Sequence, residues 1–233
     1  MMRSKLPLML ALVLTALQGP ARSTEEDPAR STNAFGSICA RLEYTVEDQD
    51  SEVIFEAIGG DVGLATLKVV APDGRTVVDF KAPDSKQGMR HVHLESPEPK
   101  DKDAIRKDFP EGTYRFVGGT TAGTTLQGET RLSHKLPEAA SLVQPQPDAT
   151  NVPVKGMQIR WRPVKNVAKW LVVIEHEPTG NDFSIDLPAS ATALVVPDGF
   201  LAPGRKYKLG ISAVANDGNS TVIETDFTTA SRK

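Results

Sequence analysis

A single cysteine, Cys39, stands in the 233-residue chain, so no internal disulfide can form in any compartment. Stability has to come from packed cores, and Cys39, between Ile38 and Ala40 in an apolar run, reads as one small buried core residue. Aromatics are scarce at 6%, and Trp161, Trp170, Tyr207 and Tyr114 fall at core positions of expected strands, which leaves few rings for a sugar-stacking platform. Beyond Leu17 no uncharged run approaches the roughly 20 apolar residues of a membrane-spanning helix, and no segment carries a long amphipathic helical period. Gly-x-Ser-x-Gly, His-Glu-x-x-His, Cys-x-x-Cys and a glycine loop opening a helix are all missing, which removes the common signatures of a nucleophile, a zinc protease, a thiol redox pair and a phosphate cradle. No enzyme is expected, and no catalytic, cofactor-binding or metal-binding residue is assigned. The near-balanced formal charge of -3 makes nucleic acid an unsuitable partner.

What is present begins with an export signal. Arg3 and Lys5 supply a positive start, Leu6 to Leu17 an almost unbroken apolar stretch, and Gly19 and Ala21 the small residues a peptidase needs, so 1–21 is expected to be a signal peptide. Residues 22–36, rich in Ser, Thr, Glu, Asp, Pro and Arg, read as a flexible N-terminus. The expected location is periplasmic or secreted, with no membrane span after cleavage. Hydrophobic residues at 39% and charged ones at 24% are enough for packed cores and too balanced for disorder over the remaining length.

The back half is the most legible. Met157, Ile159 and Trp161 alternate with Gln158, Arg160 and Arg162, and a second apolar run opens nine residues later at Trp170. Further on, Tyr207, Leu209, Ile211 and Ala213 share one face of a strand whose other face carries Lys206, Lys208 and Ser212. Trp161 on the second strand, Pro163 just after it, Trp170 opening the third strand, and Leu201-x-Pro203-Gly204-x-x-Tyr207 before the sixth together resemble a fibronectin type III domain over 142–230. The resemblance implies a β-sandwich with Tyr207 at a tyrosine corner, its hydroxyl bonded to backbone upstream. It names a fold and no ligand.

Between residues 37 and 137 about seven short strands are expected, separated by Gly59-Gly60-Asp61, Pro72-Asp73-Gly74 and Pro110-Glu111-Gly112. The approach Pro110-Glu111-Gly112-Thr113-Tyr114 echoes the Pro-Gly-x-x-Tyr run of the back half, and the segment resembles immunoglobulin-like modules of exported bacterial proteins. The fold class is therefore all-β, two tandem antiparallel β-sandwiches, immunoglobulin-like and then fibronectin type III. A Pro-rich linker at 138–148, merging into the first back strand, joins them, and an elongated tandem with a stiff joint is expected. Glu95 to Asp108, dense in Pro and charge, reads as a long exposed loop with a short helical turn near Ala104 to Lys107, and Gly118 to Gly123 as a hairpin connection.

His91 and His93 stand two apart on an expected strand and so share a face, a spacing that places two imidazoles on one metal. A third ligand would have to come from His134, His176 or a carboxylate such as Glu95, and nothing in the sequence brings these together. The acidic run Glu47 to Glu52 lacks the glycine and distant glutamate of a helix-loop-helix calcium site and reads as a solvated turn. The functional expectation is a non-enzymatic exported binding, adhesion or spacer protein whose partner is an extracytoplasmic protein or, less directly, a polysaccharide. Two alternatives stand beside it: a small-ligand or metal-binding envelope protein using the front sandwich, and an accessory module of a secreted hydrolase complex.

Overall fold

The computed structural model describes residues 34–84, 86–99 and 101–231. The expected signal peptide and most of the expected flexible N-terminus lie outside the described residues. Ala34 to Gly36 are held in place: Ala34 bridges Gln127, Phe35 meets the Phe116 ring edge-on at 6.3 Å, and the Gly36 N–H donates to the Ile58 carbonyl.

Seven strands form in the front half. These are β1 (Ser37–Thr45), β2 (Asp50–Ile58), β3 (Leu64–Val70), β4 (Thr76–Lys81), β5 (His91–Glu95), β6 (Gly112–Thr120) and β7 (Thr125–Leu132), with helix α1 (Lys102–Asp108) before β6. The back half adds β8 (Ser141–Gln144), β9 (Ala149–Val152), β10 (Gln158–Arg162), β11 (Lys169–His176), β12 (Asn181–Pro188), β13 (Ala193–Val195), β14 (Lys206–Val214) and β15 (Ser220–Thr229). Strand β9 has no alternating apolar pattern and escapes sequence reading. Two separate cores result. In the first, Phe55 packs against Tyr114 at 5.5 Å, Phe109 at 5.9 Å and Phe116 at 6.4 Å. In the second, Trp161 meets Trp170 at 5.6 Å and Tyr207 stacks on Phe227 at 5.5 Å.

Both aromatic turns work alike. The Ala202 N–H donates to the Tyr207 hydroxyl at 2.8 Å, and the Tyr114 hydroxyl donates to the Pro110 carbonyl at 3.0 Å. Each ring fills a core while its hydroxyl pins the loop before its strand.

The sheets do not divide along the chain. One eight-stranded sheet runs β12-β11-β14-β15-β1-β2-β5, with β9 also on β15, while β13-β10-β8 and β4-β3-β6-β7 form two smaller sheets. The joint is a parallel pairing of β1 with β15, Glu43 to Ser220, Tyr44 to Thr221 and Thr45 to Val222. Because paired strand residues point the same way, Ala40 and Leu42 fall on the same face of this sheet as Phe227, and both cores lie on that face. Beside the expected Pro-rich linker, the joint therefore contains a β-ladder that sequence reading did not anticipate. The outer edge of β15, which an isolated sandwich would leave open, is occupied along its length: β1 takes its start, the Glu47 carboxylate accepts the Glu224 N–H at 2.7 Å, and β9 takes its end.

Asn219 closes the joint. It is 1% exposed; its Oδ1 accepts from the Leu42 N–H at 2.8 Å, and its Nδ2 donates to the carbonyls of Ser133 at 2.9 Å and Lys135 at 3.0 Å. Thr221 donates its hydroxyl to the Pro137 carbonyl at 2.7 Å, and Ser220 to Glu43 Oε2 at 2.7 Å. The hairpin turn Asn216 to Asn219 therefore serves as the seam between sandwiches, and the glycosylation-like triplet Asn219-Ser220-Thr221 is buried within it.

Three local expectations are corrected. Cys39 is half-buried on the sheet face opposite Ala40 and Leu42, outside both cores, because odd and even residues of β1 point to opposite faces. The charged loop is not exposed throughout: its expected helical turn is part of α1, capped by Asp101, whose carboxylate accepts the Asp103 N–H, and Ile105 at 3% exposure anchors it to the first core. Gly118 and Gly119 belong to β6, where a Cβ on Gly118 would come within 2.9 Å of the Leu64 and Phe35 side chains, so the turn is confined to Thr121 to Gly123.

Candidate functional site

The large sheet turns one face to its cores and the other away. On the outward face, the register of β1, β2 and β5 lines up a mostly polar set: Arg41 and Glu43 on β1, Glu52 and Glu56 on β2, and His91, His93 and Glu95 on β5. Strand β5 is the end strand of that sheet, so this set lies at a sheet margin.

Three of these side chains converge. Glu56 sits directly across from His93, and His91 is the next outward residue on β5. His93 Nδ1 is 2.8 Å from Glu56 Oε1, His91 Nε2 is 3.6 Å from the same oxygen, and the three donor atoms all lie within 4.8 Å of one another. The atoms not pointing inward are held from behind. Arg41 Nη1 donates to Glu56 Oε2 at 3.1 Å, and Glu95 Oε1 takes His93 Nε2 at 2.8 Å. The Glu56 and Arg41 side chains are 8% and 1% exposed, against 24% for His93 and 47% for His91, so the set has a buried floor and an open lip.

The electrostatics follow. For Glu56, burial pushes the carboxyl up, but the hydrogen bond from His93 and the charges of Arg41 and the histidines outweigh it and leave it below its ordinary value. The hydrogen bond to Glu56 raises the His93 imidazole, burial opposes this, and the bond to Glu95 adds to the rise. A protonated His93, donating from both nitrogens, satisfies both carboxylates at once.

Farther along the same face, burial drives Glu52 up to about 8, with Glu43, Glu95 and Glu98 adding repulsion. Glu43, across from it, is also raised, first by burial, while the Ser220 hydroxyl pulls the other way. At the far side of the seam Lys208 Nζ lies 2.7 Å from Glu224 Oε2.

The structure brings together His91 and His93, the pair singled out by sequence, with Glu95 behind His93. It leaves the other histidines elsewhere. His134 Nε2 lies 2.8 Å from the Phe109 carbonyl, and His176 Nδ1 lies 2.6 Å from Thr179 Oγ1 in the second sandwich. Sequence reasoning missed Glu56. The only signal that finds it is the β2–β5 register, and β3 and β4, which intervene in the chain, belong to a different sheet.

Among the described residues the large exposed hydrophobics are Val62, Met89, Leu94, Val117, Val143 and Val195, all without an aromatic ring. A flat stacking platform for sugars is not among them.

No protein-family model matches the chain, and no curated protein matches it. Among solved structures, the fibronectin type III-like modules of CbhA from Clostridium thermocellum align at 6% identity and a TM-score of 0.34, over 84% of this chain and 94% of that one. A two-domain fibronectin type III segment of chicken tenascin aligns at 12% identity and a TM-score of 0.31, over 84% and 97%. A tetra-tandem repeat from the extending region of a large adhesion protein aligns at 16% identity and a TM-score of 0.32, over 84% and 50%. What identifies this chain as an all-β protein of packed β-sandwiches is its own sheets and cores.

Proposed function

We propose that the chain is an exported, non-enzymatic binding or spacer module that acts outside the cytoplasm as one stiff block of two sandwiches. The observation carrying this reading is the β1–β15 pairing sealed by Asn219, which makes the second sandwich a lateral extension of the first one's sheet. A flexible tandem transmits no fixed geometry to what it joins; two cores on one continuous sheet hold their outer surfaces at a set distance and angle. Surfaces available to a partner include the margins at β5 and β12, the end strands of the large sheet among the described residues, where edge backbone groups suit an extracytoplasmic protein strand. The aliphatic character of the exposed hydrophobics favours protein over polysaccharide, and with it a binding module over an accessory module of a hydrolase complex. No helix among the described residues is long and apolar enough to cross a membrane.

Cross-linking with mass spectrometry on the native protein in its own cells tests this reading. A recurrent extracytoplasmic protein linked to one face is the expected result. Links confined to the chain itself, across repeated preparations, would remove the binding role.

A further inference from the structure

The outward face at β5 also carries a site that the spacer role does not use. We propose that Glu56, His91 and His93 form a binding site for a divalent first-row cation of the zinc and copper class, with Glu95 and Arg41 as positioning residues. Two imidazole nitrogens and one carboxylate oxygen suit such borderline ions, whereas calcium and magnesium take oxygen donors and more of them.

The geometry is close to what the ion needs. Metal–ligand bonds of about 2.0–2.1 Å in a tetrahedron place ligand atoms about 3.3 Å apart. The separations from Glu56 Oε1, 2.8 Å to His93 and 3.6 Å to His91, bracket that value. The remaining pair lies within 4.8 Å, and a rotation of the half-exposed His91 ring closes it.

The supporting contacts make this more than two histidines near an acid. A ligating imidazole ordinarily has its other nitrogen held by a carboxylate, and a ligating carboxylate is itself hydrogen-bonded. Both conditions hold here: Glu95 takes His93 Nε2 and leaves Nδ1 facing inward, and Arg41 takes Glu56 Oε2 and leaves Oε1 facing inward. Binding displaces the proton shared between His93 and Glu56 to solvent, and the ion takes its place between the same two atoms. The fourth position faces outward past His91 at the sheet margin, open to water or to a donor atom from a partner.

The test is Zn2+ titration of the full chain by calorimetry, with Co2+ absorption as a report on coordination. One Zn2+ per chain is expected, with a tetrahedral Co2+ band that Zn2+ abolishes and Mg2+ and Ca2+ do not. His91→Ala changes an exposed side chain and keeps the fold, which circular dichroism checks, and it should weaken Zn2+ at least tenfold. Glu95→Gln should weaken it about 10–100-fold through His93, and His91→Ala with His93→Ala should abolish it. Negligible Zn2+ uptake by the wild type, equal uptake by the double variant, or displacement of Co2+ by Ca2+ would each overturn the assignment.

Discussion

Glu52 shows how one residue writes pH dependence into the fold. Its carboxyl, raised to about 8 by burial and by Glu43, Glu95 and Glu98, holds its proton in the folded chain over a range where the unfolded chain has released it. The folded state then binds more protons than the unfolded one between about pH 4.5 and 8, so stability is fully present below that window and falls across it. With solvent screening at this partly exposed position allowed for, the fall should be roughly 1–3 kcal/mol. Glu52→Gln should flatten it, seen as a higher unfolding midpoint at pH 8 and little change at pH 4.5 in urea titrations at both values. At Tyr207, the hydroxyl accepting from the Ala202 N–H can be removed with the ring kept. Tyr207→Phe should cost about 1–2 kcal/mol, well short of the roughly 3–5 kcal/mol of Tyr207→Ala, which empties core volume; equal losses in a denaturation series would mean that the hydroxyl carries the role.

Among the elements, β15 is the informative one. A last strand of a free-standing sandwich exposes one row of amides, but here both edges are taken, by β14 on one side and by β1, the Glu47 carboxylate and β9 on the other. Amides of Ser220–Thr229 should therefore exchange as slowly as those of the central strand β11, while β5 and β12 exchange faster. Hydrogen exchange resolved to single amides checks this, and fast exchange at Val222 and Glu224 would show the seam opening on its own. The turn feeding β15 matters for the same reason. Asn219→Ala orphans the buried Leu42 N–H and two carbonyls, so a loss of about 2–3 kcal/mol is expected in equilibrium unfolding, well above the few tenths usual for an exposed hairpin residue.

At the scale of the molecule, two cores under one sheet should unfold together. A single calorimetric transition is expected for the wild type, with Asn219→Ala splitting or broadening it as the seam loosens. Two well-resolved transitions in the unaltered protein would mean that the sandwiches are energetically independent and that the stiff block does not exist. The metal proposal stands apart from this outcome, because Glu56, His91 and His93 all sit on β2 and β5 within the first sandwich.

Much of the architecture was readable from short-range rules. Alternation at Tyr207, Leu209 and Ile211, the glycine and proline turns, and paired aromatics such as Tyr114 and Tyr207 each depend on neighbours a few residues away, so pattern alone predicts strands, turns and which face is buried. For the same reason His91 and His93 were recognisable as sharing a face. What the tertiary structure decided was everything that depends on register between distant strands. The parallel seam of β1 with β15 joins residues 177 apart, as in Leu42 and Asn219, and Glu56 meets His93 only because β2 pairs with β5 across two strands of another sheet. A period-two pattern states which residues face outward; it carries no information about which strand lies alongside, and both the stiff joint and the Glu-His-His site are properties of that neighbour.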